Sequence, residues 1–102
     1  MRIITLKRIR EFAELHPDAA EPLRKWARIV AEAEWKSLHE TRRVYPHADA
    51  VTVASGNSVT VFNLGGNKYR LIAAIHYDRQ CLYVLRILRH AEYDKNRWKE
   101  SL

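Results

Sequence analysis

The sequence predicts an α+β fold: a small, mostly antiparallel, twisted sheet packed by an N-terminal helix hairpin, with a short C-terminal helix. Apolar residues recur at three- and four-residue spacing through the first half of the chain. From Ala50 onward the period changes to two, and turn residues separate the runs. After Arg89 helical spacing returns.

Met1 to Ile4 is a short apolar run suited to an edge strand. Leu6, Ile9, Phe12 and Ala13 then mark the inner side of a helix whose outer side carries Lys7, Arg8, Arg10, Glu11 and Glu14. It stops at His16-Pro17, because the residue before a proline avoids helical backbone angles. Asp18-Ala19-Ala20-Glu21 has capping-box form and opens a second helix with Pro22 in its first turn. Leu23, Trp26, Ala27, Val30 and Ala33 or Glu34 face inward, and the short link predicts an antiparallel hairpin. Ser37-Leu38-His39-Glu40 is a second capping box, starting a short helix that Tyr45-Pro46 ends. Val51-Thr52-Val53 and Val59-Thr60-Val61 are strands around a Ser55-Gly56-Asn57-Ser58 turn, and Leu64-Gly65-Gly66-Asn67 is a second turn. Tyr69 to Tyr77 alternate as a strand, Cys81 to Arg89 form the last strand, and His90 to about Glu100 form a terminal amphipathic helix.

A chain of 102 residues suits one domain over residues 1–102, with one modest core and a shallow surface site rather than a deep pocket. The net charge of +6 points to an acidic partner: nucleic acid, an acidic protein or an anionic surface. The single cysteine, Cys81, excludes an internal disulfide and sits in an apolar run as a buried thiol. Met1-Arg2-Ile3-Ile4 runs straight into charged residues, unlike a signal peptide, and no stretch approaches the roughly 20 apolar residues of a membrane span. A cytoplasmic protein is expected. No HExxH or paired-cysteine spacing is present, so neither metal nor cofactor is expected. Gly65-Gly66-Asn67-Lys68 lacks the rest of a phosphate loop, and Ser55 and Ser58 have no neighbouring acid or base. Trp26 and Trp35 read as core residues, while Trp98 fits core or surface.

Residues 1–49 hold ten Lys and Arg against eight Asp and Glu, and residues 50–102 hold eight against four. The surplus therefore falls on the strands and the terminal helix, where a charge needs a reason. With Asp78-Arg79-Gln80 as the hairpin loop, Tyr77 faces Cys81, Lys68 faces His90, Arg70 faces Leu88 and Ile72 faces Arg86. Lys68, Arg70, Arg86 and His90 then share one face, because strand side chains alternate. Tyr69, Leu71, Ala73 and Ile75 meet Ile87, Leu85 and Tyr83 on the other, as core. The alternative is a set of unrelated surface charges.

Such a cluster suits RNA cleavage. A 2′-hydroxyl acts as internal nucleophile, and the site supplies a base, cations for the charge growing on phosphate, and an acid for the departing 5′-oxygen. DNA lacks the hydroxyl. The candidate catalytic residues are Lys68, Arg70, His90 and Tyr93. Histidine is the side chain that titrates near neutrality, and arginine grips phosphate bidentately. Tyr93, one helical turn beyond His90, stacks on a base, donates a hydrogen bond or packs the helix. Arg86, Arg89, Lys95 and Arg97 are candidates for holding the RNA backbone.

Phe62-Asn63-Leu64-Gly65-Gly66-Asn67-Lys68-Tyr69-Arg70-Leu71-Ile72 resembles the central hairpin of HigB-type toxins of the RelE/ParE superfamily. Arg89-His90-Ala91-Glu92-Tyr93-Asp94 resembles their H-x-E-Y-D ending, and the Met1-Arg2-Ile3-Ile4-Thr5 opening and the His16-Pro17 break also fit. The resemblance spans nearly the whole chain. It implies a RelE fold and metal-independent cleavage of mRNA in the A site of the 70S ribosome, arresting growth. It also implies a HigA-like helix-turn-helix antitoxin, with operator DNA bound only through the toxin–antitoxin complex. Arg70 matches the strand arginine after the hairpin turn and Tyr93 the tyrosine near the C-terminus. His90 stands where RelE proper is arginine-rich, and Lys68 is a rough match for its lysines. Two other readings remain open: a ParE-like gyrase poison, and a non-enzymatic RNA- or ribosome-binding module.

Overall fold

The computed structural model describes residues 1–102. In chain order the elements are β1 (Arg2–Ile4), α1 (Leu6–Leu15), α2 (Ala20–Glu32), α3 (Leu38–Val44), β2 (Asp49–Thr52), β3 (Ser58–Leu64), β4 (Tyr69–His76), β5 (Cys81–Arg89) and α4 (His90–Asp94), with single 3₁₀ turns at Pro17–Ala19 and Arg97–Lys99. The strands form one five-stranded sheet in the order β1-β5-β4-β3-β2. β1 is an edge strand parallel to β5, and every other pairing is antiparallel. The predicted α+β architecture is what the chain adopts. No helix is long and apolar enough to cross a membrane.

Both faces of the sheet are covered, by different parts of the chain. The helical side holds the larger core, where Leu23, Trp26 and Val30 of α2 meet Phe62, Leu71, Leu82 and Val84 of the strands. Trp26 and Phe62 meet edge-on at 5.5 Å, and Trp35, in the extended segment after α2, stacks on Phe62 from 6.5 Å. The opposite side holds Val53, Val59, Val61 and Ile72 under Trp98, so the C-terminal segment is its lid. Alternate residues of one strand thus feed two cores, as the period of two requires. Cys81 is buried.

Ser37 caps α3 as expected: its hydroxyl accepts from the Glu40 N–H at 3.3 Å, while the Glu40 carboxylate reaches the Lys36 N–H. The expected capping box at Asp18 does not form. Asp18 lies inside the 3₁₀ turn, α2 starts after Ala19 without a side-chain cap, and the Asp18 carboxylate accepts from the Tyr69 hydroxyl at 2.6 Å instead. A strong long-range acceptor role has displaced a local one. Leu6, expected on the inner side of α1, is half exposed at the helix start.

The expected β4–β5 register holds from Tyr69↔Arg89 to Ile72↔Arg86, then breaks. Ala73 pairs with Val84, leaving Leu85 as the extra residue of a β-bulge. From there to the loop the pairing is offset by one: His76, not Tyr77, faces Cys81, and the loop is Tyr77 to Gln80. The bulge also reverses which side chains face the helices. Val84 and Leu82 fill the main core in place of the expected Leu85 and Tyr83, and Leu85 packs beside Ile72 on the other face. The expected terminal helix is likewise shorter. It ends at Asp94, and Asn96 turns the chain with φ +60° before the 3₁₀ turn.

Candidate active site on the C-terminal face of the sheet

Arg70 and Arg86 lie on the face opposite the helices, Arg70 across from Leu88 and Arg86 across from Ile72. The pairing predicted from the residue pattern places them there, because the bulge lies beyond Ile72. His90 prolongs the ladder: its N–H donates to the Lys68 carbonyl at 2.9 Å, so one residue ends the sheet and begins α4. That junction sets the short helix across the ends of β4 and β5 and carries Tyr93 back over the strands.

Asn96 makes the next step possible. Asparagine tolerates left-handed backbone better than most residues, and it acts here as a helix-ending reversal. The reversal returns Trp98 beneath Tyr93. The two rings stack at 5.3 Å and 18°, and the Trp98 indole N–H donates to the Tyr93 carbonyl at 3.1 Å. The Arg70 guanidinium lies over the Tyr93 ring, 5.5 Å from its centroid. Tyr93 is therefore engaged by Trp98 and Arg70, and its hydroxyl, rather than a free ring face, is what it offers a ligand.

The donors of Arg70 are divided. Nη1 donates to the carbonyls of Asn67 at 3.1 Å and Tyr69 at 3.3 Å. Nε and Nη2 have no protein acceptor. These are the side-on pair of the guanidinium, the edge that grips a phosphate with two parallel hydrogen bonds. Burial holds the Tyr93 hydroxyl above its ordinary pKa of 10.0, with Asp49 and Asp94 adding to the rise and Arg70 opposing it. At neutral pH Tyr93 is thus a hydrogen-bond donor and not a base.

The other expected residues are placed unequally. Arg86, Lys95 and Arg97 line one shallow groove with Leu88, Glu92 and Trp98. Arg89 is tied to Glu92 at 3.0 Å, one turn along α4. The His90 Nδ1 lies 2.9 Å from the Asp94 carboxylate. Lys68 departs from the cluster. Its ammonium is 3.9 Å from Asp18, on the helical side of the sheet, although its backbone lies opposite His90. Lys68 sits in the turn ahead of β4, where the pleat no longer dictates side-chain direction, and the nearest carboxylate draws it.

Asp18 is held below its ordinary pKa of 3.8, chiefly by the Tyr69 hydroxyl hydrogen bond and further by the charges of Lys68 and His16. Asp18, Asp94 and Trp98 were not among the expected site residues. Asp94 was legible as an acid four residues after a histidine, and Asn96 as a helix terminator. Nothing local pointed to the pairing of Asp18 with Tyr69 and Lys68.

Residues 19–96 match the model of the HigB toxin family, described as the RelE-like toxic component of a toxin–antitoxin system. The chain is 29% identical over 94 residues to the "mRNA interferase toxin HigB" of Escherichia coli strain K12, covering 92% of this chain and 88% of that protein. It is 33% identical over 95 residues to an "mRNA interferase HigB" of Escherichia coli O6:H1, covering 93% and 90%. With three quarters of its length matched, from the 3₁₀ turn ahead of α2 to the reversal after α4, this chain belongs to the HigB family of RelE-like toxins.

Proposed function

We propose that the protein is an endoribonuclease that cuts mRNA in the ribosomal A site and so arrests translation, as the toxin of a type II toxin–antitoxin pair. The 2′-hydroxyl attacks the adjacent phosphorus as its proton passes to a base. The P–O5′ bond breaks, and the departing oxygen takes a proton from an acid. A 2′,3′-cyclic phosphate and a 5′-hydroxyl end result.

Arg70 receives the charge building on the phosphate through its free Nε and Nη2. Tyr93 donates its hydroxyl to the same region, and His90 carries a proton. Lys68, more than half exposed, leaves its long ion pair with Asp18 and swings round the rim from the helical side to supply a second cation. Arg86, Lys95 and Arg97 hold the flanking RNA backbone, with Arg89 at the edge of that path. The observation that carries the reading is the unpaired guanidinium edge of Arg70 beside a protonated tyrosine, across from Leu88, which borders a groove lined by Arg86, Lys95 and Arg97. The partner is a HigA-like helix-turn-helix antitoxin, and operator DNA is reached only through the complex.

Mapping transcript 5′-ends after induction tests this. The wild type should leave messages cut at defined codon positions, and His90→Ala should not. Growth arrest with intact messages and DNA breakage would replace the proposal with gyrase poisoning.

A further inference from the structure

We propose that Asp94 is the positioning residue for His90, fixing which imidazole nitrogen faces the RNA. The inference rests on His90 acting in the cleavage proposed above. His90 and Asp94 are the first and last residues of α4, four apart and therefore on the same side of the helix. The His90 Nδ1 is 2.9 Å from the Asp94 Oδ2, an ion-pair contact in which a small turn of the half-exposed ring completes an Nδ1–H donation to the carboxylate. A proton drawn to Nδ1 by that carboxylate leaves Nε2 of the neutral ring as the lone-pair nitrogen.

No other side chain shares this bond. The neighbouring acid, Glu92, is taken by Arg89 at 3.0 Å, so the two pairs are separate. Arg70, Tyr93 and Asp94 then divide the work: two offer donors, and the third keeps the acceptor of the neutral ring on Nε2.

The test compares Asp94→Ala, Asp94→Glu and His90→Ala as purified full-length proteins. Nitrogen-15 NMR of the histidine ring reports the tautomer of His90 above neutral pH, and cleavage is timed on mRNA-programmed ribosomes. Wild type should show His90 protonated on Nδ1, and Asp94→Ala should shift it towards the Nε2–H form. The single-turnover rate should fall at least roughly 10-fold, the smaller end of the loss when a metal-bound histidine is deprived of its orienting carboxylate, with RNA affinity unchanged. Asp94→Glu should restore most of the rate, and Asp94→Ala should add nothing in a His90→Ala background. An unchanged tautomer in Asp94→Ala, or an unchanged rate while His90→Ala is inactive, would overturn the positioning role alone. A fully active His90→Ala would overturn the assignment of His90 itself.

Discussion

Replacing Arg70 by alanine removes the group best placed to meet a phosphate. Two of its donors are spent on the Asn67 and Tyr69 carbonyls, and these hold the guanidinium plane over Tyr93. What the substitution takes from the transition state is the remaining Nε–Nη2 edge, two charge-assisted hydrogen bonds to an oxygen gaining negative charge. Loss of one preorganised donor of this kind costs about 2.7–4 kcal/mol, or roughly 100- to 1000-fold in rate. Arg70→Ala should therefore slow single-turnover mRNA cleavage by at least about 100-fold. Arg70→Lys keeps the charge without the fork and should recover only a small part. Neither anchoring bond is fully buried and each is worth about 1 kcal/mol net, so the stability cost should stay near about 1–2 kcal/mol. The assay pairs cleavage kinetics with thermal unfolding and antitoxin binding. A folded, antitoxin-binding Arg70→Ala protein that cuts mRNA within a few-fold of the wild-type rate would refute the reasoning.

Tyr93→Phe keeps the stack on Trp98 and deletes only the hydroxyl, so the unfolding midpoint should hold while cleavage falls about 10- to 100-fold, the worth of one hydrogen bond to a charged group. Phe62→Ala empties a fully buried site among Trp26, Trp35 and Tyr45 and should cost about 3–5 kcal/mol, read as a lower denaturant midpoint at unchanged slope. Asp18 titrates below its ordinary 3.8 in the folded chain because Tyr69 donates to it. Its contribution is therefore complete above that value and is lost as pH falls towards the lowered one. Tyr69 is held above 10.0, chiefly by the same bond, so the contribution also fades as pH rises beyond 10. Stability measured against pH should thus be flatter at both ends in Asp18→Asn than in wild type, and equal acid limbs would contradict the assigned pair.

Most secondary structure and the facing of β4 were legible in the residues, because alternation and helical spacing are local properties that each segment carries itself. The placing of Arg70 and Arg86 on one face followed for the same reason. The bulge at Leu85 was not legible: Val84, Leu85 and Arg86 fit either register, and the choice falls to the packing of Leu82 and Val84 against α2. Lys68 shows the same limit. The pleat assigned it to the cleavage face, yet its flexible stem answers to Asp18, a carboxylate fifty residues earlier in the chain that Tyr69 holds in place. By itself, then, the sequence determined the elements, the charge and the chemical types gathered near the C-terminus. Which cation is free and which tyrosine face is covered were decided by tertiary structure, because those are contests between distant partners that no local spacing records.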